Sequence, residues 1–127
     1  MPPHEQVIFF PIVLPGWNES VGQAKRRFGR SNGYAQLKKT LENQLRLYIR
    51  SNHLVPMKEA WLKFLWREMD KRRDPDNIIS AKKYILDALV AEKIISNDGQ
   101  TVIKGLKDSW TVNSRDPGVL VTLKQEE

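Results

Sequence analysis

Asp74 and Asp76, one proline apart in the stretch Arg-Arg-Asp-Pro-Asp-Asn (72–77), are the residues of this chain best placed to do chemistry. Proline fixes its own φ and pushes the preceding residue towards an extended conformation. In extended backbone, residues i and i+2 project to the same side, so both carboxylates can point at one spot. That spot lies where an apolar stretch ends and a predicted helix begins, and helix N-termini favour anions. Two convergent carboxylates suit a hard divalent cation such as Mg²⁺ or Mn²⁺. The same residues have an everyday use: Asp76 or Asn77 is a good N-cap, and Asp-Pro commonly opens a turn. The two uses are compatible, since one carboxylate oxygen can serve each.

Two further groups stand near this stretch in sequence. Asp98 sits in Asn-Asp-Gly (97–99), which turn chemistry also explains. Lys83 and Asp87 are four apart on one predicted helix face, which reads either as a surface ion pair or as an ammonium aimed at a phosphate. A helix running the length of the sheet would not by itself bring Asp98 near Asp74; only a segment folding back could do so. An EF-hand loop starting at Asp74 is excluded, because Ile78 and Ile79 occupy the positions that need an oxygen ligand and a glycine. No phosphate-cradling glycine loop of the P-loop type is present. The chain has no cysteine, which removes disulfides, thiolate zinc sites and cysteine nucleophiles, and only two histidines, His4 and His53.

The elements that must position these residues follow from periodicity. Residues 6–14 (QVIFFPIVL) are β-branched and aromatic and predict a first strand, with Pro11 assigning it to an edge or a bulge. Residues 21–33 have the glycines and charges of a mobile loop. Tyr34, Leu37, Leu41, Leu45 and Tyr48 form the stripe of an amphipathic helix that Ser31 or Asn32 can cap. Residues 60–68 (AWLKFLWRE) alternate, with Leu62, Phe64 and Trp66 on one face of a half-buried strand. A second helix carries Ile78, Ala81, Ile85, Ala88 and Leu89 and fades near Lys93, and residues 101–112 and 118–123 supply two last strands. The order β-α-β-α-β-β predicts an α/β (α+β) protein: one domain over residues 1–127, with a mixed sheet packed by two helices.

The charge is unevenly spread. Of a net +6, residues 23–50 contribute +7: eight cations against the single acid Glu42. A localised surplus of this kind is the electrostatic footprint of a polyanion binder. An apolar content of 40% predicts a folded domain. No apolar run approaches the roughly 20 residues of a membrane span, and the N-terminus lacks a signal-peptide layout. An intracellular, cytoplasmic protein without a membrane partner is expected.

Taken in order, RRDPDN, then KKYILDAL (82–89), then SNDGQ (96–100) resemble the RusA-type Holliday-junction resolvases over about residues 5–123, most specifically over 72–100. The resemblance implies a Mg²⁺- or Mn²⁺-dependent endodeoxyribonuclease, working as a homodimer on branched, four-way DNA. It implies metal ligation by Asp74, Asp76 and Asp98 and a catalytic lysine at Lys83. It further implies a DNA contact at Arg73 and a position near the active site for Asn18. This chain is about one helical turn longer than the best-known form of the motif between Asp76 and Lys83, which leaves Lys82 as the alternative lysine. Asn97 replaces the first acid of the late pair, so a metal role there rests on Asp98 alone. Arg72, Lys25, Arg26, Arg27 and Arg30 are expected to grip backbone phosphates, and the loop that carries the last four to fold onto DNA. The alternatives are a nuclease for other branched DNA and a structure-selective DNA binder whose carboxylates are caps and turns.

Overall fold

The computed structural model describes residues 4–20 and 33–127. Within them the chain forms β1 (Glu5–Phe10), α1 (Gly33–Ser51), β2 (Ala60–Glu68), α2 (Pro75–Ile79), α3 (Lys82–Ala91), β3 (Ile103–Val112) and β4 (Gly118–Lys124). The four strands make one mixed sheet in the order β1-β4-β2-β3. β4 runs antiparallel to both β1 and β2, whereas β3 lies parallel to β2 across the α2–α3 crossover. The last two strands are therefore consecutive without pairing, since β4 returns across β2 to enter beside β1. None of the described helices is long and apolar enough to cross a membrane.

β2 confirms its alternation: Leu62, Phe64 and Trp66 are buried, and Trp61, Lys63, Leu65 and Arg67 face the other side. β1 is an edge strand, as Pro11 implies, but it ends at Phe10 rather than residue 14. Proline has no N–H for a ladder, so pairing stops there, although Leu14 is still buried beyond it. In α1 the buried line is Leu37, Leu41, Leu45 and Ile49, and Tyr34, expected on the apolar stripe, is exposed. The caps expected at Ser31 or Asn32 lie outside the described residues. α1 and α3 pack side by side over the buried sheet face and close the core.

The expected second helix is two helices. Ser80 and Ala81 separate α2 from α3, and the Ala81 N–H reaches back only three residues, to the Ile78 carbonyl at 3.2 Å. The Ser80 hydroxyl donates to the Asn77 carbonyl at 2.5 Å, competing with the helical pattern. The tightened turn keeps the stripe in phase, so Ile78, Ala81, Ile85, Ala88 and Leu89 are all buried despite the break. α3 ends in a left-handed residue, Lys93 at φ 61°. The N–H of Ile94 bonds the Leu89 carbonyl and that of Lys93 the Val90 carbonyl, each at 3.0 Å. This is a Schellman stop, and it turns the chain back towards Asp98.

Candidate functional site

Arg72 and Arg73 are neighbours with opposite fates. Arg73 points inwards, its side chain 16% exposed. Its Nε and Nη2 donate to the two Glu68 carboxylate oxygens at 2.7 and 2.9 Å, a bidentate pair. Its Nη1 donates to the Leu14 carbonyl at 2.9 Å and to Glu19 Oε1 at 2.8 Å. Arg72 is 90% exposed and, among the described residues, pairs with Asp70 at 3.6 Å. Of the two, only Arg72 presents its guanidinium to an incoming ligand. Arg73, expected to contact DNA, instead ties the end of β2 to the segment after β1.

That segment, residues 14–20, docks on α2 through RRDPDN. The Asn77 amide donates to Glu19 Oε2 at 2.7 Å, and its oxygen accepts from the Asn18 N–H at 3.4 Å. Ser80 Oγ accepts the Trp17 N–H at 2.9 Å. Gly16 permits the approach, since a Cβ there would fall on the Asn77 backbone and side-chain oxygens. Burial raises the Glu19 carboxyl pKa, but hydrogen bonds from Arg73, the Gly16 N–H and Asn77 outweigh it and hold the group below its ordinary value. Asn18 does lie beside the motif, through its backbone N–H.

Asp74 and Asp76 both stand at the N-terminal end of α2, exposed. Asp74 holds the N-cap position with extended backbone (φ −71°, ψ 147°) and makes no side-chain cap bond. This corrects the expected cap at Asp76 or Asn77. Asp76 is already in the first helical turn, so the two carboxylates diverge from the extended i, i+2 geometry that proline suggested. Beside Asp74 opens a cleft of about 600 Å³ whose lining includes Glu68, Asp70, Lys71, Arg73 and Trp110. Asp70 and Trp110 are site residues the sequence did not single out. Asp70 precedes Asp74 by four positions, but Trp110 arrives only through the parallel pairing of β3 with β2.

The lysines separate cleanly. Lys82 is largely buried, its ammonium 2.5 Å from Asp108 Oδ2 and over the Phe64 ring at 5.2 Å. Asp108 also accepts the Trp66 indole N–H at 2.9 Å. Lys82 is thus bound into the packing between α3 and the sheet. Lys83 faces solvent, 2.6 Å from Asp98 Oδ2 and 3.1 Å from Asp87 Oδ1. Hydrogen bonds to Asp98 and then Asp87 raise the Lys83 pKa, and the bond from Lys83 lowers that of Asp98. The segment after α3 does fold back, bringing Asp98 to the first turn of that helix. There it meets a lysine: among the described residues no three acidic or histidine side chains are grouped to hold a metal ion.

The basic surplus is partly neutralised by folding. Arg46 and Arg50 both grip Glu92, at 2.7 and 2.6 Å, and Lys38 pairs with Asp87 at 3.1 Å. Those pairings join α1 to α3 and hold the Glu92 carboxyl below its ordinary pKa, chiefly through Arg50. Lys25, Arg26, Arg27 and Arg30, with the loop expected to fold onto DNA, lie outside the described residues. No protein-family model matches the chain, and no curated protein matches it.

Proposed function

We propose that this protein is a metal-dependent phosphodiester hydrolase acting on DNA. Within that class it is a structure-selective endonuclease of the RusA type that cuts four-way junctions. The observation that carries the reading is the N-terminal end of α2, where Asp74 and Asp76 both stand exposed and Asp74 lines an open cleft, with the exposed Arg72 two positions before it in the chain. Mg²⁺ is commonly held by one or two carboxylates together with substrate phosphates, so two aspartates at this position fit such an ion. Bound there, Mg²⁺ or Mn²⁺ would offset charge developing on phosphorus and lower the pKa of a coordinated water. Asp74 and Asp76 supply the hard oxygen donors, Arg72 attracts the backbone phosphate, and Arg73 with Asn77 holds the loop and helix end that frame them. Lys83 lies at the start of α3 in bonds to Asp98 and Asp87, which a phosphate would have to displace to use its ammonium. A two-fold homodimer would suit the paired cuts that a junction requires.

A second reading, a structure-selective DNA binder without catalysis, is favoured by one observation: Asp98 is engaged by Lys83 rather than grouped with Asp74 and Asp76. The deciding experiment is cleavage of a labelled synthetic four-way junction, against linear duplex and a flap, in Mg²⁺, Mn²⁺ and EDTA. Asp76→Asn is run in parallel. Symmetric cuts in the junction, abolished by EDTA and reduced at least a hundredfold in Asp76→Asn, are expected. Tight junction binding without cuts in either metal would refute the nuclease reading and leave the binder. Cuts in the flap alone would keep the chemistry and refute the junction preference.

A further inference from the structure

The sheet has a second face. α1 and α3 cover the side carrying Leu62, Phe64 and Trp66, and among the described residues no helix or strand packs on the other. That open face carries an aromatic seat and a row of cations. Trp61 lies directly beside Gly105 in the β2–β3 register, and a Cβ on Gly105 would come within 2.7 Å of the Trp61 ring. Glycine weakens a strand interior, and here it lets the indole lie down on the neighbouring strand. Lys63 is paired in register with Lys107, two exposed cations side by side without a carboxylate partner among the described residues. Like charges placed opposite one another cost stability, which an anion between them would relieve. Neighbouring strands are about 4.8 Å apart, so two ammonium groups on adjacent strands can close on one phosphate.

Charge complementarity selects the occupant. Lys124, paired in register with Trp61, and Arg67, whose guanidinium lies 4.8 Å above the Phe9 ring, extend the positive row at its two ends. Among the described residues, Glu5, 3.7 Å from Lys124, and Glu127 bring negative charge to this surface. Asp108 also borders a cleft on this side, but its carboxylate is bound to Lys82 and the Trp66 indole at the buried face. A flat ring flanked by unpaired cations has the composition of a stacking platform for single-stranded nucleic acid, in which a base covers the aromatic and phosphates meet the lysines. We propose that the open sheet face binds a single nucleic-acid strand, with Trp61 stacking a base and Lys63 and Lys107 clamping a phosphate. This binding is independent of Asp74 and Asp76 and needs no metal.

The test is fluorescence anisotropy of a labelled 20-nucleotide single-stranded DNA with the full chain in EDTA, over a range of salt. Lys63→Glu with Lys107→Glu keeps a like-charge pair in the same register, so fold stability is little changed while the sign of the surface is reversed. This double variant should weaken binding at least tenfold and flatten the log–log salt slope by about 0.7, the value for one lost phosphate on a single strand. Trp61→Ala should weaken it about tenfold, with Trp61→Phe restoring most of the loss. Asp76→Asn should bind as the wild type does, which separates this surface from the α2 site whatever the cleavage experiment shows. Wild-type affinity and slope in the double lysine variant would overturn the proposal. So would equal competition by polyglutamate combined with no effect of Trp61→Ala, an outcome that would assign the face to acidic proteins.

Discussion

Replacing Arg73 by methionine distinguishes a buried tie from a DNA contact. Methionine keeps an apolar stem of similar length and removes the guanidinium alone. Arg73 makes four hydrogen bonds, of which the two to Glu68 matter most, because the Glu68 side chain is only 9% exposed. Removing one partner of a buried pair leaves a carboxylate without compensation, which costs about 3–5 kcal/mol. The Glu19 arm adds little, since that side chain is 35% exposed and surface pairs are worth about 1 kcal/mol or less. The lower end of that range, about 3 kcal/mol, is the expected size at pH 7. With a urea slope near 1.5 kcal/mol/M, the midpoint should fall by about 2 M, followed by tryptophan fluorescence. Glu68→Gln should be less than additive with Arg73→Met, with a coupling of about 2 kcal/mol. Should Arg73→Met not fold, Arg73→Lys retains the charge, loses the bidentate fork and reports the same direction. A loss below about 1 kcal/mol with no coupling to Glu68 would refute the tie. A DNA contact would instead leave the urea midpoint in place and flatten the salt dependence of binding.

Gly16→Ala should lift residues 14–20 from α2, because its Cβ would overlap the Asn77 oxygens. Urea unfolding should register a loss of about 1–3 kcal/mol, the usual scale for overpacking, and a midpoint within error of wild type would contradict the close approach. The Lys83–Asp98 pair has a signed pH dependence. Asp98 is held below its ordinary 3.8, so its contribution is present above that value and lost as pH falls through the depressed one. Lys83 is raised above 10.5, so its contribution is present below 10.5 and lost as pH rises through the raised value. Carboxyl NMR titration should place the Asp98 midpoint below 3.8 and move it upward in Lys83→Met; an unmoved midpoint would show that the pair does not persist in solution.

Local patterns foretold the parts of this fold that local forces decide. The alternation of Leu62, Phe64 and Trp66 gave β2 its buried face, and Leu37, Leu41 and Leu45 gave α1 its core line. The break at Ser80 escaped periodicity because the tightened turn preserves the phase of the apolar stripe. Strand neighbours escaped it too: the insertion of β4 between β1 and β2 is a long-range choice to which the residues of β4 carry no local key. For the site, the type of each residue was legible but not its partner. Arg73 meets Glu19 across 54 positions, and Lys82 meets Asp108 across 26. Both cations read from sequence as free charges, and both are largely withdrawn from solvent by carboxylates that only the tertiary fold delivers.

The opposed arginines show how RRDPDN is anchored on one side and exposed on the other. Arg73 turns inward to Glu68 while its neighbour Arg72 stays exposed beside Asp70. Arg73 and Asn77 then bracket Pro75 from both sides, one fixed to Glu68 and the other to Glu19. The Asp74-Pro75-Asp76 segment between them is held at both ends while its own carboxylates remain exposed. A turn meant only to start a helix would gain most from a side-chain cap, yet Asp74 stands at the N-cap without making that bond. The backbone is thus anchored on either side of Pro75, and the fold makes no side-chain cap bond with Asp74.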